Sequence, residues 1–229
     1  MTSKIVGVYL AAGLGTRFGG NKLSVPFGNK SLGAYALSTA LATMLDKIIV
    51  VVNKEVPLNW LHNELMNNEK LMISYCENSH KGQSYTVKCG IKKANEMGAH
   101  SIVILLADQP FVSKELINRL ITHQQKFPSL KFIAATKDSI ICPPVLMNKK
   151  ITPQMMHMSG DSGAKKILEQ EKKQGMLIEV HNQYELFDID TKEDYYQALC
   201  RFEAQKLNER VEAQKSIARN STLEFRRLK

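Results

Sequence analysis

The chain has 229 residues, of which 44% are hydrophobic, and a formal net charge of +9. That length supports a real buried core and the composition argues against wholesale disorder. No apolar run nears the roughly 20 residues that cross a bilayer, and with 7% aromatics there is no basic stripe interleaved with rings, so neither membrane nor nucleic acid is expected as a partner.

The first element is a strand, Ile5–Leu10, followed by the glycine-rich stretch LAAGLGTRFGGNK at residues 10–22. Apolar periodicity then predicts a helix over Leu32–Leu45, a strand over Lys47–Val52, a helix over Leu58–Asn67, a weaker strand over Leu71–Tyr75 and a helix over Ser84–Met97. A strand at Ile102–Ala107 leads to a helix at Lys114–Lys126, with Ser113 as N-cap and Glu115 in the first turn. A strand at Phe132–Ala135 follows. Residues Ile140–Ser159, with Pro143-Pro144, Pro153 and four methionines, break the rhythm and read as an insertion or lid-like excursion. The chain resumes with a helix at Asp161–Lys172 and a strand at Met176–Val180. A final helix starts near Thr191 as a capping box with Asp194 and extends past residue 215.

Continuous apolar strands alternating with helices imply an α/β fold: a mostly parallel sheet covered on both faces, with ligands bound beyond the carboxyl ends of the strands. The expected organisation is one domain over residues 1–200 and a basic, helical extension over 201–229, where eight Lys/Arg face four Asp/Glu. The remaining body is mildly basic, which suits an anionic small substrate. The N-terminus has one lysine before the first strand and no secretory pattern, so the expected compartment is cytoplasmic. Cys76, Cys89, Cys142 and Cys200 form no C-x-x-C pair and are expected to be reduced thiols. The six histidines have no metal-binding spacing, Trp60 reads as helix packing, and Met155, Met156 and Met158 either fill the core or line an acceptor pocket.

The glycine stretch fails two familiar readings. A dinucleotide fingerprint needs a third glycine where Phe18 stands, and a P-loop needs Ser or Thr directly after Lys22. The shared physics survives: a glycine-rich turn after a strand brings backbone N–H groups close to phosphate oxygens, while Arg17 and Lys22 add cations. Together these features point to a triphosphate.

The whole stretch resembles the signature of nucleotidyltransferases of the molybdenum-cofactor cytidylyltransferase type, within the superfamily that includes sugar-1-phosphate nucleotidyltransferases. The likeness continues at His80–Thr86, which resembles the family's G-x-S-x-S turn, and at Leu105-Leu106-Ala107-Asp108-Gln109-Pro110, Pro144-Val145-Leu146, Ser159–Ala164 and Phe187–Asp194, in the family's order, with departures at Thr86, Met147 and Lys192. It implies a three-layer α/β/α Rossmann-like fold of the nucleotide-diphospho-sugar transferase kind. It also implies a reaction in which a phosphate on an organic acceptor attacks the α-phosphate of a nucleoside triphosphate and pyrophosphate leaves. Chemistry of this kind needs positioning and charge neutralisation, usually with Mg²⁺.

On this resemblance the catalytic residues are Arg17, Lys22 and Asp108. The nucleotide would be held by Leu10, Ala11, Ala12, Gly13, Gly15, Arg17 and Lys22, with Gly82 and Ser84 at the base and ribose. Asp108, at the end of a central strand, is the expected metal ligand. Asp190 is the second ligand with Asp188 in support, unless Asp190 instead caps the final helix. Pro144, Gly160 and Asp161 lie on the acceptor side, where Asp161 either binds the pterin or caps a helix. Ala12, where relatives with guanosine specificity have Gly, favours CTP. The implied substrates are thus CTP and a molybdopterin-type cofactor, and the implied recipient is a molybdenum hydroxylase such as xanthine dehydrogenase. The rivals are another phosphate acceptor (a sugar phosphate or methylerythritol phosphate), a non-catalytic cofactor-delivery protein, and a nucleic-acid-binding module using the basic tail.

Overall fold

The computed structural model describes residues 3–158, 160 and 163–227. Its first half contains β1 (Ile5–Ala11), β2 (Pro26–Phe27), β3 (Lys30–Ser31), α1 (Leu32–Leu41), β4 (Lys47–Val52), α2 (Asn63–Met66), β5 (Leu71–Tyr75) and α3 (Gln83–Glu96). The second half contains β6 (Ser101–Leu106), α4 (Lys114–Lys126), β7 (Phe132–Lys137), β8 (Ile140–Asn148), α5 (Thr152–Met156), α6 (Gly163–Gln170), β9 (Gly175–Glu179) and α7 (Lys192–Arg227).

Seven strands form one sheet in the order β5-β4-β1-β6-β8-β7-β9. All neighbours are parallel except at β8, which runs antiparallel to both β6 and β7. Because side chains alternate along a strand, β1 feeds two cores. Ile5, Tyr9 and Ala11 pack with Leu37 of α1 and Leu116 and Leu120 of α4. Val6, Val8 and Leu10 pack on the other face with Val87, Ile91 and Ala94 of α3 and with Met155 and Leu168. α3 lies close on the sheet because of Gly90, where a Cβ would stand 2.2 Å from Val8 Cγ1. The result is the three-layer α/β/α arrangement.

The expectation for Ile140–Ser159 is corrected. Ile140–Asn148 is a core strand, with Val145, Leu146 and Met147 buried. Pro143-Pro144 hides this in the sequence, yet both prolines fall where the β7 register jumps from Ala134↔Val145 to Ala135↔Cys142. At such a bulge the N–H that each proline lacks costs the ladder nothing. Met155 and Met158 are core residues, 0% and 4% exposed.

Two helices are shorter than their periodicity implied. α1 stops at Leu41, and Thr43 Oγ1 donates to Ala40 O at 2.6 Å, tying the chain back on itself. Of Leu58–Asn67 only Asn63–Met66 is helical; Trp60 lies in the preceding turn, buried against Gly33 of α1, with its carbonyl accepting from Ser31 Oγ at 2.8 Å.

A third, smaller core underlies one end of the sheet, where Phe18, Phe27, Leu32, Ile189, Ala198 and Phe202 meet. α7 passes residue 200 without a break, and Phe202 sits 4.9 Å from Phe27 and 5.3 Å from Tyr35, ring centroid to centroid. Among the described residues no helix is long and apolar enough to cross a membrane.

Candidate active site

The carboxyl ends of β1 and β6, the adjacent central strands, open into a cleft of about 550 Å³. The glycine stretch forms one wall. Gly15 adopts φ +62°, and a Cβ there would lie 2.2 Å from the carbonyl oxygen of Gly20, so a side chain at this position is excluded twice. Its own carbonyl accepts from the N–H groups of Phe18, Gly19 and Gly20 at 3.0, 3.0 and 3.3 Å, which curls the loop over the strand end. Phe18 is an anchor: it is buried in the third core and meets Tyr195 edge-on at 6.0 Å.

Lys22 begins the short turn after the loop and reaches across the cleft. Its Nζ donates to Asp108 Oδ2 at 2.6 Å, to the carbonyl of Ile189 at 2.8 Å and to Asp190 Oδ1 at 3.1 Å. Arg17 Nη1 stands 3.0 Å from the other oxygen of Asp190, with most of its side chain in solvent. Asp108 comes from the end of β6. Asp190 is brought beside it because Ile189 N–H donates to the Asp108 carbonyl at 3.0 Å. The start of α7 fixes this segment: Asp194 Oδ2 accepts from the N–H groups of Asp190 and Thr191, and Thr191 Oγ1 accepts from Asp194 N–H at 3.1 Å. The capping box leaves the Asp190 carboxylate free to face Lys22 and Arg17, so Asp190 is not the cap.

Charge balance dominates the electrostatics. Burial disfavours the Lys22 ammonium, but Asp108 and then Asp190 outweigh it and hold the pKa above the ordinary lysine value. Asp188 is exposed along part of its surface, yet crowding of its carboxyl by protein, followed by the negative charge of Asp108, raises its pKa to about 6. Tyr9 is buried in the core beneath α1, its hydroxyl donating to Gly33 O at 2.7 Å.

The cleft is lined by Leu10, Ala11, Ala12, Gly13, Gly15, Arg17, Lys22, Gly82, Asp108 and Asp190, all read from the sequence as site residues. Ser84 is not among them. It shares a helical face with Val87, Ile91 and Ala94, and that face packs on the sheet, leaving Ser84 3% exposed. Gln83 and Thr86, on other faces of the same helix, line the cleft instead, as do Ser79 and His80. The glycine at 82 was the signal for this turn; the helical phase decides which neighbours face inward.

Asp188 lies off the cleft wall, within electrostatic reach of Asp108 and Cys142. Pro144 follows from the β6–β8 register, one residue beyond the pair Ile104↔Val145 toward the carboxyl end of β6, on the same edge as Asp108. Gly160 is exposed with φ +66° and does not line the cleft. Asp161 lies outside the described residues.

The carboxylates of Asp108 and Asp190 are hard oxygen donors of the kind Mg²⁺ takes. Among the described residues no three His, Cys, Asp or Glu side chains converge to hold a metal ion. Two carboxylates suit an ion that takes its remaining ligands from water and nucleotide phosphates. Asp108 Oδ1 is buried without a hydrogen-bond partner, which fits the donor set of a cation site.

Residues 7–175 match the MobA-like NTP transferase domain. The chain is 34% identical over 197 residues to the purine catabolism protein PucB of Bacillus subtilis, covering 83% of this chain and 94% of that protein. It is 26% identical to the nicotine blue oxidoreductase of Paenarthrobacter nicotinovorans, over 85% and 96% of the two chains. It is 28% identical to a probable molybdenum cofactor guanylyltransferase of Methanocaldococcus jannaschii, over 54% and 58%. Among solved structures, a nucleotidyl transferase from Methanothermobacter superposes with a TM-score of 0.75 at 17% identity, over 89% of this chain and all of that one.

Proposed function

We propose that this chain, which belongs to the MobA-like NTP transferase family and is a nucleotidyltransferase, moves CMP from CTP onto the phosphate of a molybdopterin-type cofactor. A new bond forms between an acceptor phosphate oxygen and the α-phosphorus of CTP, the bond from that phosphorus to the bridging β-oxygen breaks, and pyrophosphate leaves. The observation that carries this reading is the meeting of Lys22, Asp108, Asp190 and Arg17 at the mouth of the glycine loop.

The loop's backbone binds the triphosphate. Lys22 and Arg17 neutralise the charge that collects on the departing pyrophosphate. Asp108 and Asp190 would hold Mg²⁺, which supplies Lewis-acid neutralisation of the phosphates. Asp188, close enough for Asp108 to disfavour its charge, adds negative charge that favours a cation at this pair. Ala12, 2% exposed in the wall of the cleft, narrows the space for the base and supports cytosine over guanine. The likeness to a probable molybdenum cofactor guanylyltransferase supports the acceptor class. A molybdenum hydroxylase is the proposed recipient of the product.

The test is product analysis with CTP or GTP labelled at the α-phosphate, molybdopterin and Mg²⁺. The expected product is a labelled cytosine dinucleotide. Preferential labelling from GTP would overturn the base assignment. Label transfer to a sugar phosphate but not to molybdopterin would overturn the acceptor.

A further inference from the structure

Asp108 and Asp190 have four carboxylate oxygens between them, and each is either held by a protein cation or closed off from solvent. Asp108 Oδ2 and Asp190 Oδ1 hold Lys22 at 2.6 and 3.1 Å. Asp190 Oδ2 holds Arg17 at 3.0 Å. Asp108 Oδ1 is shut off from solvent and has no partner. The Lys22 ammonium is equally committed. It has three N–H donors, and they match three acceptors: the two carboxylates and the Ile189 carbonyl. Its side chain is 12% exposed, the least of the four charged groups.

We infer that Lys22 is a resident cation that fills the divalent-ion site until a nucleoside triphosphate draws it away. The inference rests on the nucleotidyltransferase reading of the cleft, and its content is the order of events. Two carboxylates at this spacing need a counter-charge at all times, and two protein cations already balance them. A divalent ion entering alone would add two positive charges to a balanced cleft and strand a half-buried ammonium without acceptors, a costly arrangement. A triphosphate removes both obstacles: its oxygens accept from Lys22, and its negative charge balances the incoming ion. Lys22 lines the same cleft as the glycine loop, so its flexible stem can turn from the carboxylates to the phosphates without the backbone moving far. Metal and nucleotide therefore enter together, and metal alone binds poorly.

Equilibrium dialysis with Mn²⁺ alone tests this on the full-length protein, comparing wild type with Lys22→Met, which keeps the stem and removes the charge. Without nucleotide, Lys22→Met should bind Mn²⁺ at least tenfold more tightly than wild type, and Asp108→Asn in the same chain should erase that gain. Added CTP should tighten Mn²⁺ binding to wild type at least tenfold and change Lys22→Met much less. Lys22→Arg should stay weak without nucleotide. If wild type without nucleotide binds Mn²⁺ as tightly as Lys22→Met, the inference is overturned; loss of that binding in Asp108→Asn would leave the metal assignment standing. If no protein binds Mn²⁺ even with CTP or GTP, the metal assignment and the inference fall together. Should Lys22→Met fail to fold, the nucleotide dependence in wild type still decides.

Discussion

Lys22 Nζ lies 2.6 Å from Asp108 Oδ2, although the two residues are 86 positions apart in the chain. The contact ties the end of the glycine loop to the end of β6 and joins the two stretches of sequence that carry the most chemistry. Four experiments follow from it and from its surroundings.

Gly15 and Gly13 should respond differently to alanine. At Gly15 the backbone has φ +62° and a Cβ would strike the Gly20 carbonyl, whereas at Gly13 a Cβ meets nothing within 4 Å. Gly15→Ala should weaken CTP at least about tenfold, as loss of roughly 1.4 kcal/mol of binding requires, and should lower Tm. Gly13→Ala should leave Tm unchanged and weaken CTP through crowding of the phosphates. Calorimetric titration and thermal melts separate the two; equal Tm losses would contradict the loop geometry.

Asp188 gives a pH signature. Its folded-state pKa is raised to about 6, above the roughly 3.9 of an unfolded Asp. The folded protein therefore binds the proton more tightly. Ionised Asp188 destabilises the fold at neutral pH, and that penalty is relieved as pH falls through about 6 toward 4. Asp188→Asn should melt above wild type at pH 7.5, with the difference shrinking steadily toward pH 4. A difference that does not change with pH would contradict the assignment.

The C-terminal helix should divide at its packing, not at its composition. Phe202 is 4% exposed and packs on Phe27 and Tyr35. Phe202→Ala should cost about 3–5 kcal/mol, on the order of 10 °C in Tm. A chain ending at Arg210 should melt like the full-length protein, whereas one ending at Cys200 should show a loss at least as large as Phe202→Ala. Equal stability of both truncations would contradict the role given to Phe202.

Much of this molecule is legible in its sequence, for identifiable reasons. Ile48–Val52 is a short continuous apolar run and Leu71–Tyr75 a weaker one, and strands form over Lys47–Val52 and Leu71–Tyr75 as read. Ser113 caps α4, its Oγ accepting from Leu116 N–H at 3.0 Å, as the serine before an amphipathic run implied. β8 was not legible because Pro143-Pro144 mimics a loop, and only the partner strand reveals a bulge. In the site, glycines and charges mark the loop and Asp108 directly. Ser84 misleads because one helical step separates a core-facing position from a cleft-facing one. The pairing of Asp190 with Asp108 depends on the Ile189–Asp108 backbone hydrogen bond, which no local pattern encodes.

Asp108 is proposed to work at the reacting phosphates while the fold stands without it. Pyrophosphate release from CTP, with Mg²⁺ and molybdopterin, should be measured for wild type and Asp108→Asn at matched circular dichroism. The variant should lose at least about 10²-fold in kcat, the scale set by removing one group that stabilises transition-state charge. Release by Asp108→Asn within about threefold of wild type would contradict that role.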